Sequence, residues 1–267
     1  MKSVQAAISV HVTGDYFLRS LFGNLEERPK TLSNGEFGLK RGVDRVLDVA
    51  DKYGLSFTFF VAAALCERYP DTIRRIAERG HEIANHGYEH ENFANFSGPE
   101  QIELLKKSND LLEKTTGKRP IGFRAPVGDM TAETLYALRD LGFAYSSSMY
   151  DDDDPYETEL DGKKLGLMEL PVKWTLYDLP YFLLCFNPAF PTGQSRVAPY
   201  TRVLENWMQE YVGAERIGAP FILQVDTQTI AKPGRIGLLE ELIEFIQKCG
   251  TGEFMTLGEM ADRAWDD

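Results

Sequence analysis

Short apolar runs alternate with amphipathic helical stretches along nearly the whole chain, and this alternation restricts the fold more than any other feature. Residues 6–12, Ala-Ala-Ile-Ser-Val-His-Val, are apolar on both faces apart from Ser9 and His11, the pattern of a buried parallel strand. Residues 38–53 carry Val43, Val46, Leu47 and Ala50 on one helical stripe and close on Gly54. The same order recurs. Strands are predicted at 56–61, 81–84, 120–124, 142–147, 167–172 and 221–225. Helices are predicted at 71–79, 97–116, 131–141, 201–212 and 236–248. Strand, helix, strand without a break points to a parallel sheet or barrel with its chemistry at the C-terminal strand ends.

At 267 residues the chain has the length of one α/β barrel, and no internal repeat or composition break divides it. One domain over 1–267 is the simplest expectation. Two stretches interrupt the alternation. Residues 16–37 and 174–199 are predicted as long loops, and loops of that length usually serve a site. The second holds Trp174, Tyr177, Tyr181, Phe182, Phe186 and Phe190, with no simple period.

A formal net charge of −12 argues against nucleic acid, whose phosphates need a basic face. The three cysteines, Cys66, Cys185 and Cys249, are far apart and form no CxxC, so free thiols in a reducing compartment are expected. No charged-then-apolar leader and no apolar run near eighteen residues occurs, so a cytoplasmic, soluble protein without membrane partners is expected.

Three of the four histidines fall in Gly80-His81-Glu82-Ile83-Ala84-Asn85-His86-Gly87-Tyr88-Glu89-His90. His86 and His90 stand four apart, so a helical turn would aim both imidazoles at one metal ion. HxxxH alone is an incomplete zinc site. Along the first strand His11 and Thr13 share a face, and Asp15 joins them if the backbone stays extended.

With Thr58-Phe59-Phe60, the histidine stretch, Phe123-Arg124-Ala125-Pro126-Val127-Gly128, Asp152-Asp153-Asp154-Pro155-Tyr156 and Glu169-Leu170-Pro171-Val172, the sequence resembles the polysaccharide deacetylase (NodB-homology) superfamily. It looks most like the cytoplasmic branch of peptidoglycan-deacetylase-like proteins and PuuE-type allantoinases. The resemblance spans nearly the whole chain. It implies a distorted (β/α)7–8 barrel that hydrolyses a non-peptide C–N bond, in an N-acetyl or cyclic amide substrate. It also implies a divalent metal, zinc foremost, held by one Asp and two His, and a homo-oligomer. His86 and His90 match the metal histidines, and Arg124 matches the arginine that orients the base.

Other motif slots depart from the family. The two aspartates of its first motif read His11 and Thr13, its late His-Pro reads Asp226-Thr227, and an aspartate slot reads Ser146. Two readings follow. In the first, the chemistry is rearranged: His11 and Asp226 move protons, Arg124 orients, and His86, His90 and Asp15 hold the metal, while Thr13, Pro126 and Trp174 contact substrate. In the second, the protein is a catalytically inactive, metal-free binder that keeps the pocket. Retention of His86, His90 and Arg124 favours the enzyme. The changes at 11, 13, 146 and 226 favour the binder.

Overall fold

The computed structural model describes residues 3–22, 28–182 and 197–266, apart from the side chains of residues 21 and 22. One curled sheet runs through it. In chain order the elements are β1 (Val4–Val12), α1 (Tyr16–Phe22), α2 (Pro29–Phe37) and α3 (Val43–Tyr53). They continue with β2 (Thr58–Val61), α4 (Leu65–Arg68), α5 (Pro70–Glu78), β3 (Glu82–Asn85) and α6 (Gly98–Thr116). Then come β4 (Gly122–Phe123), α7 (Ala132–Asp140), β5 (Tyr145–Ser146), β6 (Tyr156–Leu160), β7 (Lys163–Glu169) and α8 (Leu179–Phe182). The last are α9 (Tyr200–Ile217), β8 (Phe221–Asp226), α10 (Ile236–Cys249), β9 (Gly252–Phe254) and α11 (Leu257–Asp266).

The strand order is β6-β7-β5-β4-β3-β2-β1-β8, with β9 added to the start of β1. Every pairing is parallel except the β6–β7 hairpin. The sheet is the parallel one that the alternating pattern called for, curled into a half-barrel. Parallel strands need crossover connections, and the amphipathic helices supply them. Among the described residues no helix is long and apolar enough to cross a membrane.

Local chemistry explains most boundaries. Ser97 and Glu100 form a reciprocal capping box at the start of α6, the glutamate accepting from the Ser97 amide at 2.8 Å. Gly54 takes the left-handed conformation that ends α3. Asp161 and Gly162 form the turn between β6 and β7, both at positive φ. The first arm of that hairpin, β6, was not expected, because Tyr-Glu-Thr-Glu-Leu shows only a weak alternation and follows four aspartates.

Two expectations are corrected here. Residues 16–37 are not one loop: helices α1 and α2 flank residues 23–27, which lie outside the described residues. Pro29 sits where a helix tolerates proline, in the first turn of α2. The stretch 174–199 begins with a 3-10 turn at Trp174–Leu176 and then α8. Phe186, Phe190 and Cys185 lie outside the described residues. Cys66 is a buried free thiol and Cys249 a half-buried one.

Between α2 and α3 the chain makes a π-helical turn, Gly38–Gly42, pressed on the loop that leaves β8. Turns of this type accompany functional sites more often than their rarity suggests. Here it brings helical backbone against Thr227, next to Asp226.

Candidate functional site

β1, β2 and β8 are in register at their C-terminal ends: His11 pairs with Phe60 on one side and with Asp226 on the other. Register therefore sets an imidazole beside a carboxylate in the interior. His11 and Asp226 are 4% and 2% exposed, so water does not screen their interaction. Their nearest atoms, Nδ1 and Oδ2, are 3.6 Å apart, beyond a direct hydrogen bond. Tyr177 fills the gap. Its hydroxyl donates to Asp226 Oδ2 at 2.6 Å and lies 3.1 Å from His11 Nδ1.

The tautomer follows from the neighbours. Arg124 Nη1 lies 3.0 Å from His11 Nε2, and a guanidinium is a donor only. Nε2 must therefore accept, so Nδ1 carries the proton and donates to Tyr177. The resulting chain runs Arg124, His11, Tyr177, Asp226, each group donating to the next. Burial pushes the His11 pKa below its ordinary value and Arg124 adds to this, while Asp226 opposes it.

Arg124 is itself buried. Nε and Nη2 donate to the Ser147 carbonyl and hydroxyl, and Nη1 to the Ser9 hydroxyl, all at 2.7 Å. Its guanidinium lies 4.1 Å from the centre of the Phe60 ring, a cation–π contact. Among the described residues it forms no ion pair with a carboxylate, and burial pushes its pKa down to about 10. Glu169 braces the turn that presents Ser147 and Ser148, accepting from the amides of Ser148 and Met149 at 2.6 and 2.9 Å. Burial raises the Glu169 pKa.

His86 and His90 do converge, though not on a helix. Gly87 at φ 75° and His90 at φ 67° fold the segment back after β3. The His86 ring stacks on His11 at 4.8 Å and meets His90 edge-on at 5.0 Å. His86 Nδ1 donates to the Arg124 carbonyl at 2.8 Å, which leaves its Nε2 lone pair free. Such an outer hydrogen bond orients a ligand imidazole. His90 Nδ1 lies 3.4 Å from the Ser20 hydroxyl, a weaker hold of the same kind.

The third ligand is not delivered. Asp15 Oδ1 and Oδ2 accept from Arg68 at 2.6 Å and Arg19 at 2.8 Å, so the expected role of Asp15 as a metal ligand is corrected to an ion-pair centre. Thr13 is buried, and its hydroxyl accepts from Gln228 at 3.1 Å. Among the described residues no group of three His, Cys, Asp or Glu is arranged to hold a metal. Two imidazoles with a threonine and no carboxylate do not fit a tight divalent site, because nothing offsets the ion's charge.

The cleft at this end is walled by His11, His86, Arg124, Pro126, Ser148 and Tyr177. At its mouth Trp174 and Tyr150, 59% and 54% exposed, stack at 5.4 Å and 12°. Thr13 and Asp226 do not line this cleft, and His90 borders a neighbouring depression with Arg19, Glu89, Glu91 and Asn92. Tyr177 and Asp178 were not anticipated. Asp178 Oδ1 accepts from the Asp226 amide at 3.0 Å, and Tyr177 bridges to Gln224 alongside β8. Only their place in an aromatic-rich stretch of no period hinted at either.

All four imidazoles have lowered pKa values, each chiefly by burial, His81 to about 4 and His90 to about 3. An unfolded histidine binds its proton near pH 6.5. Each imidazole therefore contributes stability above about pH 6.5 that is lost as the pH falls towards its folded value. The raised carboxyls of Glu82, Glu169 and Asp178 work in the opposite sense, losing stability as the pH rises through their folded values. In an NMR titration no ring proton should shift near pH 6.5, and His81 should titrate near pH 4. A histidine titrating at its ordinary value would contradict this environment.

The fold and cleft define an α/β half-barrel with a polar centre at the C-terminal strand ends. Residues 33–146 match the polysaccharide deacetylase family profile. The chain is 28% identical to a peptidoglycan deacetylase of Helicobacter pylori, over 89% of this chain and 88% of that one. A solved Mycobacterium smegmatis structure described as a polysaccharide deacetylase superposes with a TM-score of 0.91 at 29% identity, covering 99% of this chain and 91% of that one. PuuE allantoinase shares the fold with a TM-score of 0.81 at 23% identity, over 98% and 90% of the two chains. Residues 33–146 thus carry a polysaccharide deacetylase match, and the chain's resemblance to the polysaccharide deacetylase (NodB-homology) superfamily rests on it and on these relatives.

Proposed function

We propose that this protein binds an N-acylated sugar or a cyclic amide in the cleft between Trp174 and His86, without metal-assisted hydrolysis. One observation carries the reading: among the described residues no carboxylate joins the imidazoles of His86 and His90 in a group arranged to hold a metal, while Asp15 is spent on two arginines. The exposed Trp174–Tyr150 stack supports a ligand with an apolar face, as a pyranose ring has. His86 Nε2 offers an acceptor to an amide N–H. Pro126 lines the same wall. A single domain over 1–267 is supported by the one continuous sheet. The cytoplasmic location and the homo-oligomer implied by the branch belong to the same reading.

Calorimetry tests it. Wild type should take up no stoichiometric zinc at micromolar concentration, whereas Thr13→Asp should tighten zinc binding by roughly tenfold to a hundredfold, by restoring a carboxylate at the slot where the family motif has an aspartate. N-acetylglucosamine oligomers should bind, and Trp174→Ala should weaken them by about tenfold. Stoichiometric zinc in wild type that His86→Ala abolishes would overturn the metal-free reading.

A second reading, a hydrolase with a rearranged centre, is favoured by the His11–Tyr177–Asp226 chain, which keeps an imidazole and a carboxylate in facing register positions. It requires turnover of acetylated oligomers or of allantoin that Asp226→Asn removes.

A further inference from the structure

The chain is strongly acidic, yet three cations gather around one loop. The segment leaving β8 turns back to α10 through residues 227–235, at the end of the sheet where Asp226 stands. Arg45, in the first turn of α3, donates to the Ala231 carbonyl at 2.8 Å. Arg235 donates to the Thr229 carbonyl and the Tyr200 hydroxyl, both at 3.3 Å. Lys232 lies between them in sequence.

Aromatic rings hold the cations in place. The Lys232 ammonium lies 3.4 Å, and the Arg45 guanidinium 5.6 Å, from the centre of the same Phe37 ring. Arg235 lies 4.8 Å from the Phe182 ring centre and 5.8 Å from that of Tyr200. Among the described residues none of the three forms an ion pair with a carboxylate, and the Lys232 ammonium donates no hydrogen bond. Elsewhere Arg19, Arg68, Arg75, Arg79 and Arg119 each meet a carboxylate.

We propose that Arg45, Lys232 and Arg235 form an oxyanion site at the rim of the half-barrel, one that takes a carboxylate or phosphate group. The two arginines are fixed by the loop carbonyls and keep further N–H groups to donate, and the lysine supplies a free ammonium. Half-buried like charges repel one another, and a bound anion relieves that repulsion. The lowered pKa of Lys232, caused by burial and then by Arg235 and Arg45, agrees with a cluster of like charges. The site is independent of what occupies the cleft.

The test titrates the full chain with sodium phosphate and, separately, sodium acetate, chloride holding the ionic strength constant. Saturable binding should appear by calorimetry for at least one of the two, and the better of them names the ligand group. Lys232→Met should weaken it about fivefold and Lys232→Arg should restore it to within about twofold. Lys232 is the residue to change, since Arg45 and Arg235 also hold the loop together. Amide shifts of wild type under the same titration give a second readout that needs no variant. They should concentrate in residues 229–236. Absence of saturable binding with both anions, equal binding by Lys232→Met, or shifts scattered over the surface would overturn the site.

Discussion

Gly42→Ala destabilises the protein by about 1–3 kcal/mol, while the same substitution at Gly213 stabilises it by about 0.5–1 kcal/mol. Both glycines are helical, so propensity alone gives them the same sign. Packing separates them. A Cβ at Gly42 would lie 2.2 Å from the Thr227 carbonyl oxygen and 2.9 Å from its carbon, backbone atoms that cannot rotate away. A Cβ at Gly213, within α9, meets nothing within 4 Å. The overlap at Gly42 exceeds the propensity gain, so the π-helical turn or the loop must move.

That movement reaches the site. The Thr227 amide donates to the His11 carbonyl at 3.2 Å, so displacing Thr227 disturbs the register that sets His11 beside Asp226. Ligand binding should fall along with the urea midpoint in Gly42→Ala and remain unchanged in Gly213→Ala. Equal shifts of the midpoint for the two variants would show that the close approach is not a constraint.

Arg124→Ala is expected to cost about 3 kcal/mol or more, the largest effect of any single side chain at the site. Two terms oppose each other. Removing a buried cation with no carboxylate partner recovers its desolvation cost, which is what lowers its pKa. Against that, truncation opens a cavity and takes the donor from the Ser147 carbonyl, the Ser147 and Ser9 hydroxyls and His11 Nε2. Hydroxyls can turn to new partners; the carbonyl and the imidazole nitrogen are held by the sheet. The loss should therefore prevail. Arg124→Lys should cost less, keeping one donor centre but not the planar fork.

The imidazole gives an independent readout. With Arg124 gone, Nε2 is free to take a proton, so the His11 pKa should move up towards its ordinary value, visible in the ring-proton titration. An Arg124→Ala variant within about 0.5 kcal/mol of wild type, with His11 unmoved, would remove Arg124 from the centre of this network.

Much of this was legible in the chain itself. Alternating apolar runs and amphipathic stretches, with Gly54 as punctuation, placed most strands and helices, because burial on both faces and helical periodicity are local properties. They also placed His11, His86, Arg124 and Asp226 at strand ends. Strand β6 and the helices within residues 16–37 escaped, since short, polar segments take their structure from what they pack against.

Only the tertiary structure decided which side chains share a hydrogen bond. Tyr177, far from both in sequence, joins His11 to Asp226, and Arg68, reached through a separate crossover, draws Asp15 away from the histidines. Sequence determines the faces and ends of elements through short-range sterics and hydrophobic period. Partners separated by many residues are chosen by strand register and helix packing, and these fixed here that Asp15 pairs with Arg19 and Arg68 and joins no metal-holding group with the two imidazoles.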